Sequence, residues 1–288
     1  MKAEINGLTE IYALIGYPVE HTASCLMHNA AFAALKMNAK YVAFKVPPKS
    51  LKYAIEAVRA LGIRGINVTI PHKEKCIRYL DYVDPQAKAI GAVNTVVNCN
   101  GRLKGYNSDA DGFIDSLRLD AKFEPKGKNI FILGAGGASR AAAFALADNK
   151  AESITLVDIE DGKAKKLKLS LKPEFSKCRI SAIPFAGKKR IEEAVMSSGL
   201  FINATGVGLK KTDPPVIEAK FLHSKLLVCD LIYNPPRTKL LKTAELRGLK
   251  VLNGEGLLLY QGMRAFKIWT GINPSERIMR EALRQKQK

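Results

Sequence analysis

Residues 129–147, NIFILGAGGASRAAAFALA, carry the pattern that decides the fold. An apolar strand-like run leads into a glycine loop, and an alanine-rich helical run follows. A dinucleotide-binding βαβ unit has this order, because Gly134 allows the tight turn and Gly136 lets the backbone approach a pyrophosphate. The amino terminus of the helix then offers N–H groups to the anion. The third small position is Ser139, where the simplest fingerprint has glycine.

The rest of the chain alternates short apolar runs with helical stretches. One series covers residues 11–109, and a second begins with the glycine-loop strand and continues through SITLVD at 153–158. Strands separated by helices of this length indicate βαβ units, so both series predict parallel sheets. Residues 111–127 predict a helix that stops at Pro125, where the second sheet begins. The fold class is therefore α/β, with two domains.

Composition and charge narrow the classes of function. The chain has 288 residues, 47% hydrophobic and 25% charged, which is typical of a globular protein with two modest domains. Its 46 basic and 27 acidic residues give a net charge of +19, which favours anionic partners. Apart from one modest cluster at 163–168 and a short basic tail at 284–288, the charge is spread along the chain, so we expect no specific nucleic-acid recognition. A small anionic ligand accounts for the excess of basic residues equally well.

Several other classes are excluded by what the sequence lacks. Its five cysteines are widely spaced and contain no Cys-x-x-Cys, which predicts free thiols in a reducing compartment. We find no uncharged run of the roughly 18 residues that a membrane helix needs, and the amino terminus is not an apolar signal sequence. The histidines have no metal-binding spacing, so we expect no metal. These observations predict a cytoplasmic enzyme or binding protein.

Asp158 follows Gly136 by 22 residues, at the end of the second strand of the βαβ unit. A carboxylate at that position can accept hydrogen bonds from an adenine ribose, which favours NAD over the 2′-phosphate of NADP. The alternative is a turn in which Asp158, Glu160 and Asp161 only favour the next helix. Lys163 could offset repulsion of the 2′-phosphate, so NADP remains open.

Polar clusters at predicted strand ends mark the first domain. They are HTAS at 21–24, NVTIPHK at 67–73, GAVNT at 91–95 and GYNSD at 105–109. Pro71 predicts a helix start with Lys73 in its first turn, where the helix disfavours an ammonium ion and so favours proton transfer. Asp109 beside it would orient the amine. The alternative is a solvated lysine between Glu74 and Lys75.

These clusters, in this order, resemble the motifs of the shikimate dehydrogenase family over residues 11–261. GYPVEHTAS at 16–24 is similar to the family's Gly-x-Pro and Ser-x-Ser clamp, NVTIPHK to its Asn-Val-Thr-x-Pro-x-Lys, and GYNSD to its Asn-Thr-Asp; GAVNT matches outright. LGAGGASRA resembles the cofactor loop. NATGVG at 203–208, DLIYNPPRT at 230–238 and GEGLLLYQG at 254–262 resemble the remaining motifs.

The resemblance implies a reaction and a fold. The reaction is the reversible NAD(P)-dependent reduction of 3-dehydroshikimate to shikimate, on the way to chorismate and the aromatic amino acids. The fold is a substrate-binding catalytic domain, residues 1–108 and 254–288, to which the last helices return, and a Rossmann domain, 109–253. Neither membrane nor specific nucleic-acid binding is implied, and the protein would be a monomer or a homodimer.

The resemblance also implies a role for individual residues. Lys73 would give and take the proton, with Asp109 as its partner on a substrate hydroxyl. The substrate carboxylate and ring hydroxyls would be held by Thr22, Ser24, Thr69, Asn94, Tyr233 and Gln261. The cofactor would be bound by Gly134, Ala135, Gly136, Gly137, Ala138, Asp158, Lys163, Leu231 and Gly254.

The largest departure from the family pattern is VDIEDGK at 157–163, where NADP-dependent members have Asn-Arg-Thr and a further basic residue. Ile159 removes the arginine, so the cofactor, NAD or NADP, is expected to lean toward NAD. This loss resembles members that use NAD and also accept quinate, which makes an NAD-dependent quinate/shikimate dehydrogenase the alternative. A non-catalytic shikimate-binding regulator is disfavoured because Lys73 and Asp109 are both present.

Overall fold

The computed structural model describes residues 5–285, which form two compact units. The first unit runs to Gly112 and resumes at Leu259, and the second unit spans Phe113–Leu258. The sequence predicts divisions at 108/109 and 253/254, whereas the units divide slightly later at both points. Both observed divisions fall inside a helix.

The first unit begins with strands and helices around one sheet. They are β1 (Glu10–Gly16), α1 (Ser24–Ala34), β2 (Ala39–Lys45), α2 (Leu51–Ala60), β3 (Gly65–Val68), β4 (Tyr82–Val83), α3 (Pro85–Ile90), β5 (Thr95–Cys99), β6 (Arg102–Tyr106) and α4 (Asp109–Asp115), which crosses into the second unit. The sheet order is β2-β1-β3-β5-β6-β4. Strands β2 and β3 lie on either side of β1 and run parallel to it. The apolar face of α2 packs against this sheet through Leu51, Ile55 and Val58.

This sheet is mixed, so the parallel sheet predicted for residues 11–109 is wrong in part. Strand β5 pairs antiparallel with both β3 and β6. The cause is a hairpin rather than a helical crossover between β5 and β6. Asn100 and Gly101, which join the two strands, both have positive φ, 53° and 89°. Such a two-residue turn matches the right-handed twist of the flanking strands.

The second unit contains the predicted parallel sheet, which the structure confirms. Its elements are β7 (Asn129–Leu133), α5 (Gly137–Asp148), β8 (Ser153–Val157), α6 (Asp161–Leu171), β9 (Arg179–Ala182), α7 (Lys188–Met196), β10 (Leu200–Asn203), β11 (Leu227–Asp230), α8 (Lys239–Leu246) and β12 (Val251–Leu252). The order β12-β11-β10-β7-β8-β9 is parallel at every pairing. The order reverses between β7 and β10, where open α/β sheets bind ligands.

The helix predicted for residues 111–127 is shorter than expected. It begins at Asp109 as α4 and continues as a π-helical turn only to Asp120. Lys122 has a positive φ of 51°, which a helix does not accommodate, so the chain leaves the helix before Pro125.

The last helices return to the first unit, as the family resemblance implies. Helix α9 (Glu255–Thr270) re-enters it at Leu259, and α10 (Glu276–Gln285) packs against α1. The Trp269 indole donates a hydrogen bond to the carbonyl of Val96, 3.0 Å away, and so ties α9 to β5. No helix within residues 5–285 has both the length and the apolar character needed to span a membrane.

Candidate active site

Lys73 lies in the loop that follows β3. The prediction that Pro71 starts a helix there is wrong, because residues 70–74 form turns and a 3₁₀ helix begins only at Lys75. Contacts with other strands hold the loop instead. The His72 ring is 2.7 Å from the Val46 carbonyl, and the backbone N–H of Val93 donates to the Lys73 carbonyl over 2.9 Å. The lysine is thus held by tertiary contacts rather than by a helix terminus.

Lys73 and Asp109 form a partly enclosed ion pair. Lys73 Nζ lies 2.7 Å from Asp109 Oδ2, and the two side chains are 15% and 11% exposed. Asp109 is the first residue of α4, whose start is fixed because Asn107 Oδ1 accepts the N–H groups of Asp109 and Ala110. The amino terminus of a helix stabilises a carboxylate. Asp109 is therefore a fixed anion that orients the Lys73 amine.

Asn94 holds the other oxygen of the same carboxylate. Its Nδ2 donates to Asp109 Oδ1 over 2.7 Å, and its Oδ1 accepts the backbone N–H of Ser108, also over 2.7 Å. Gln261 Oε1 is 3.4 Å from Asn94 Nδ2, a longer contact. The structure thus brings together four residues that the sequence singled out: Lys73 from the loop after β3, Asn94 from just before β5, Asp109 from α4 and Gln261 from α9.

The proposed carboxylate clamp lies at the start of α1. Thr22 Oγ1 accepts the backbone N–H of Ser24 over 3.2 Å, and Ser24 is buried. Thr69 follows β3 and packs on Gly16, where any Cβ would collide with the Thr69 methyl group. These three residues belong to the first unit. Tyr233 follows β11 in the second unit, where burial raises its pKa. Their assignment to one substrate pocket stays a prediction.

The second unit contains a pocket of about 420 Å³ at the carboxyl ends of its central strands. Five predicted cofactor residues line it: Gly134, Ala135, Gly136, Asp158 and Lys163. Sequence reasoning missed Phe185, Thr205 and Val207, which also line it. Phe185 belongs to no motif. Thr205 and Val207 lie in NATGVG, whose resemblance to a family motif could have placed them at the site.

The glycine loop has the backbone that a pyrophosphate site requires. Gly134 has φ +102°, and a Cβ there would lie 2.8 Å from the Ala204 carbonyl oxygen, so only glycine fits. Gly136 precedes α5 without a side-chain cap, and a Cβ there would meet nothing within 4 Å. Gly137 and Ala138 then form the first turn of the helix. An anion could approach these N–H groups directly, so the residues present fit a dinucleotide.

Ser139 explains the departure from the glycine fingerprint. It is fully buried, and its hydroxyl donates a hydrogen bond to the Gly134 carbonyl over 2.6 Å. The serine therefore closes the glycine loop onto the first turn of α5, a role that glycine could not perform.

Asp158 is fixed by the backbone on both of its oxygens. Oδ2 accepts the N–H of Ala135 over 2.7 Å, and Oδ1 accepts the N–H of Glu160 over 2.9 Å. Lys163 Nζ pairs with Glu160 Oε1 at 2.6 Å, and this hydrogen bond raises the pKa of the lysine. Ile159 is 77% exposed. Asp158 thus stabilises the strand-end turn while it lines the pocket, so the two alternatives are compatible.

A buried carboxylate supports the loops on the other side of the pocket. Asp230 accepts hydrogen bonds from Thr238 Oγ1 at 2.7 Å and from Asn203 Nδ2 at 3.1 Å, and burial raises its pKa. Asn203 Oδ1 in turn accepts the Thr205 hydroxyl at 2.7 Å. The predicted cofactor residues Leu231 and Gly254 are in contact, since a Cβ on Gly254 would collide with the Leu231 carbonyl.

The fold and these residues define an α/β protein with a Rossmann-type dinucleotide pocket in one unit and a lysine–aspartate pair in the other. Within residues 5–285, no group of three or more His, Cys, Asp or Glu side chains is placed to hold a metal ion. The dinucleotide pocket and the lysine–aspartate pair define the class as a nicotinamide-dependent oxidoreductase.

Comparisons with known proteins give the family. A model of the shikimate dehydrogenase substrate binding domain matches residues 14–96, and one of the shikimate 5′-dehydrogenase C-terminal domain matches 254–284. A shikimate dehydrogenase (NADP(+)) of Methanopyrus kandleri is 42% identical over 98% of each chain. The chain belongs to the shikimate dehydrogenase family, which confirms the resemblance seen in the sequence.

Solved structures agree with this assignment. A shikimate 5-dehydrogenase from Listeria monocytogenes in complex with shikimate and NAD is 35% identical, with a TM-score of 0.91 over 98% of this chain and 99% of that one. Its counterpart from Thermus thermophilus, in complex with NADP(H) and shikimate, is 36% identical, with a TM-score of 0.85 over 96% and 99%. The relatives thus include structures with either cofactor.

Proposed function

We propose that the protein is a shikimate dehydrogenase, an NAD(P)-dependent oxidoreductase that reversibly reduces the ketone of 3-dehydroshikimate to the hydroxyl of shikimate. The observation that carries this proposal is the Lys73–Asp109 pair at 2.7 Å, in a chain that matches a shikimate dehydrogenase over 98% of its length. The first unit would bind the substrate and the second the cofactor. The first family model, described as a substrate binding domain, lies within the first unit.

Lys73 transfers the proton in this proposal. In the reducing direction its ammonium group donates a proton to the oxygen of the ketone, and in the oxidising direction the neutral amine takes it back from the hydroxyl. Asp109 Oδ2 accepts a hydrogen bond from Nζ, and Asn94 keeps the carboxylate from turning away. A bound nicotinamide dinucleotide supplies or accepts the hydride. The protein's own task is to place and protonate one oxygen.

Hydroxyl and amide side chains would hold the rest of the substrate. Thr22 and Ser24 would bind the carboxylate, and the ring hydroxyls would contact Thr69, Asn94, Tyr233 and Gln261. Support comes from the amide of Asn94, which also contacts Gln261 and Asp109, so that one residue links recognition with proton transfer. The glycine loop, with Leu231 and Gly254, would hold the cofactor.

We propose that NAD is preferred over NADP. The Asp158 carboxylate lines the pocket in one fixed orientation, and a 2′-phosphate about 4 Å away would be repelled by roughly 4 kcal/mol at an effective dielectric of 20. Glu160 already pairs with Lys163, the one cation that the sequence offered to offset this repulsion. Ile159 supplies no donor for a phosphate.

The second candidate is an NAD-dependent quinate/shikimate dehydrogenase. It is favoured by one observation, the aspartate and isoleucine at 158 and 159 in the pocket. Quinate has an additional hydroxyl on the ring carbon that bears its carboxylate, so acceptance would depend on the space around Thr22 and Ser24.

Initial rates test both proposals at once. Oxidation of shikimate and of quinate, each with NAD and with NADP, is followed by the absorbance of the reduced nicotinamide between pH 7 and 10. We expect the highest kcat/KM with shikimate and NAD. Activity mainly on quinate would establish the second candidate, a preference for NADP would refute the argument from Asp158, and shikimate binding without turnover would indicate a regulator.

A further inference from the structure

A continuous path of buried hydrogen bonds leads away from the proton-transfer pair into the first unit. Asn94, which holds Asp109, accepts the hydroxyl of Thr95 at its own Oδ1 over 3.0 Å. Thr95 Oγ1 accepts in turn from Asn67 Nδ2 over 3.3 Å. All of these side chains are buried, so each one depends on its neighbours for its hydrogen bonds.

The path ends at Tyr41, a residue of β2 that belongs to none of the polar clusters. The Tyr41 hydroxyl donates to Asn67 Oδ1 over 2.7 Å. Tyr41 is 2% exposed, so no bulk water can take over this hydrogen bond. Its hydroxyl thus completes the buried path that leads through Asn67, Thr95 and Asn94 to Asp109.

The ring of Tyr41 has little freedom to move. It stacks on His28, with ring centroids 4.4 Å apart, and lies 6.0 Å from the ring of Trp269. The Trp269 indole is itself bonded to β5. The position of the hydroxyl is therefore set by a packed aromatic cluster, as pre-organised sites require.

We propose that Tyr41 is a positioning residue for the substrate. Its hydroxyl orients the Asn67 amide, which through Thr95 holds the Asn94 amide in place for the ring hydroxyls of the substrate. Tyr41 acts through these residues and does not itself take part in proton transfer. This inference rests on the proposed function, since it concerns the binding of shikimate.

The test removes one hydroxyl and keeps the aromatic ring. Tyr41→Phe is expected to raise KM for shikimate roughly five- to ten-fold, the range of one lost hydrogen bond, while kcat changes less than about two-fold. KM for the cofactor and the pH profile of kcat should stay unchanged. The matched control is Tyr12→Phe, in the same aromatic cluster, whose hydroxyl reaches only Glu10 over 3.4 Å. Tyr12→Phe should leave KM for shikimate, kcat, KM for the cofactor and the pH profile of kcat unchanged.

A merely structural role gives a different pattern. A structural role of Tyr41 would lower the melting temperature and the active fraction of Tyr41→Phe, and thus its apparent kcat, without a change in KM for shikimate. That result would overturn the proposal. Identical behaviour of Tyr41→Phe and Tyr12→Phe would also overturn it. If Tyr41→Phe does not fold, Thr95→Val breaks the same path with an isosteric side chain. It should also raise KM for shikimate, and an unchanged KM would be contrary to the proposal. A wild-type protein that is inactive on shikimate would refute the proposed function instead.

Discussion

The two units build their sites from different materials. In the first unit, the groups that hydrogen bonds link to Lys73, directly or through one another, are side chains: the carboxylate of Asp109, the amides of Asn94 and Asn67, and the hydroxyl of Thr95. In the second unit, the pocket is formed largely by a glycine loop and apolar side chains, with the Asp158 carboxylate fixed by backbone N–H groups. The difference suggests that substitutions in the first unit change the chemistry, whereas those in the second change the choice of cofactor.

Physical chemistry explains why each arrangement suits its task. A buried network of polar side chains is rigid only when every member is satisfied, so it can hold one proton-transfer geometry but tolerates few changes. Backbone N–H groups bind a pyrophosphate whatever the neighbouring side chains are. A site of that kind leaves the ribose end free to vary, and Asp158 and Ile159, which line the pocket, are the residues that we propose for that end.

Among the variants that compare the two units, the largest expected effect comes from neutralising the Asp109 carboxylate of the first unit. We predict that Asp109→Asn lowers kcat roughly 10²-fold, because Lys73 loses the charge that orients it. Steady-state rates on shikimate at saturating cofactor measure the effect. Asp111→Asn, two residues further along α4 and paired with Arg264 at the surface, is the control and should retain full kcat. Equal losses in both variants would remove Asp109 from the mechanism.

A smaller effect concerns the stability of the first unit in acid. His28 is fully buried in the aromatic cluster, and burial lowers its pKa from 6.5 to about 3. Below pH 6.5 His28 binds a proton in the unfolded chain but not in the folded chain. The free energy of unfolding is therefore highest above pH 6.5 and decreases as the pH falls toward 3. At pH 5 the loss amounts to about 2 kcal/mol relative to pH 7.

Urea denaturation of His28→Leu tests whether the burial of His28 causes this loss of free energy of unfolding in acid. Between pH 7 and pH 5 the variant should lose about 2 kcal/mol less of its free energy of unfolding than the wild type. His21→Leu, at an exposed position, should behave as the wild type does. A pH dependence that is the same with and without His28 would show that its burial does not set the acid sensitivity of the first unit.

The smallest expected effect is in the second unit. We predict that Asp158→Asn combined with Ile159→Arg shifts the ratio of kcat/KM for NAD and NADP roughly ten-fold or more toward NADP, because a repulsive charge is replaced by a phosphate donor. The rate at saturating cofactor should change little. A variant that loses kcat with both cofactors would break the comparison, since the second unit would then carry part of the chemistry.

Local patterns explain most of what the sequence could predict. The glycine loop, its strand and its helix are contiguous, so residues 129–147 indicate the parallel unit on their own. The antiparallel hairpin also has a local signal in the sequence, the Asn100-Gly101 pair between β5 and β6. The helix expected at Pro71 was wrong because the loop is held by His72 and Val93 through contacts distant in sequence.

The buried network could not be predicted at all from spacing. Tyr41 reads as one apolar residue of a strand, and its partner Asn67 is 26 residues away. Asp230 and Asn203 fell within motifs, but their mutual hydrogen bond depends on the pairing of β10 with β11. Lys73 and Asp109 could be singled out from the residues alone, whereas the substrate-binding roles of Asn94 and Gln261 followed only from the resemblance of their motifs to a family.

The central claim is that Lys73 carries the proton in a site built by the first unit. Its most direct test is Lys73→Ala, with turnover and shikimate binding measured on the same preparation and with Lys75→Ala, at an exposed position two residues away, as the control. We expect kcat to fall roughly 10²- to 10⁴-fold while shikimate still binds, and Lys75→Ala to match the wild type. Turnover of Lys73→Ala close to that of the wild type would contradict the claim.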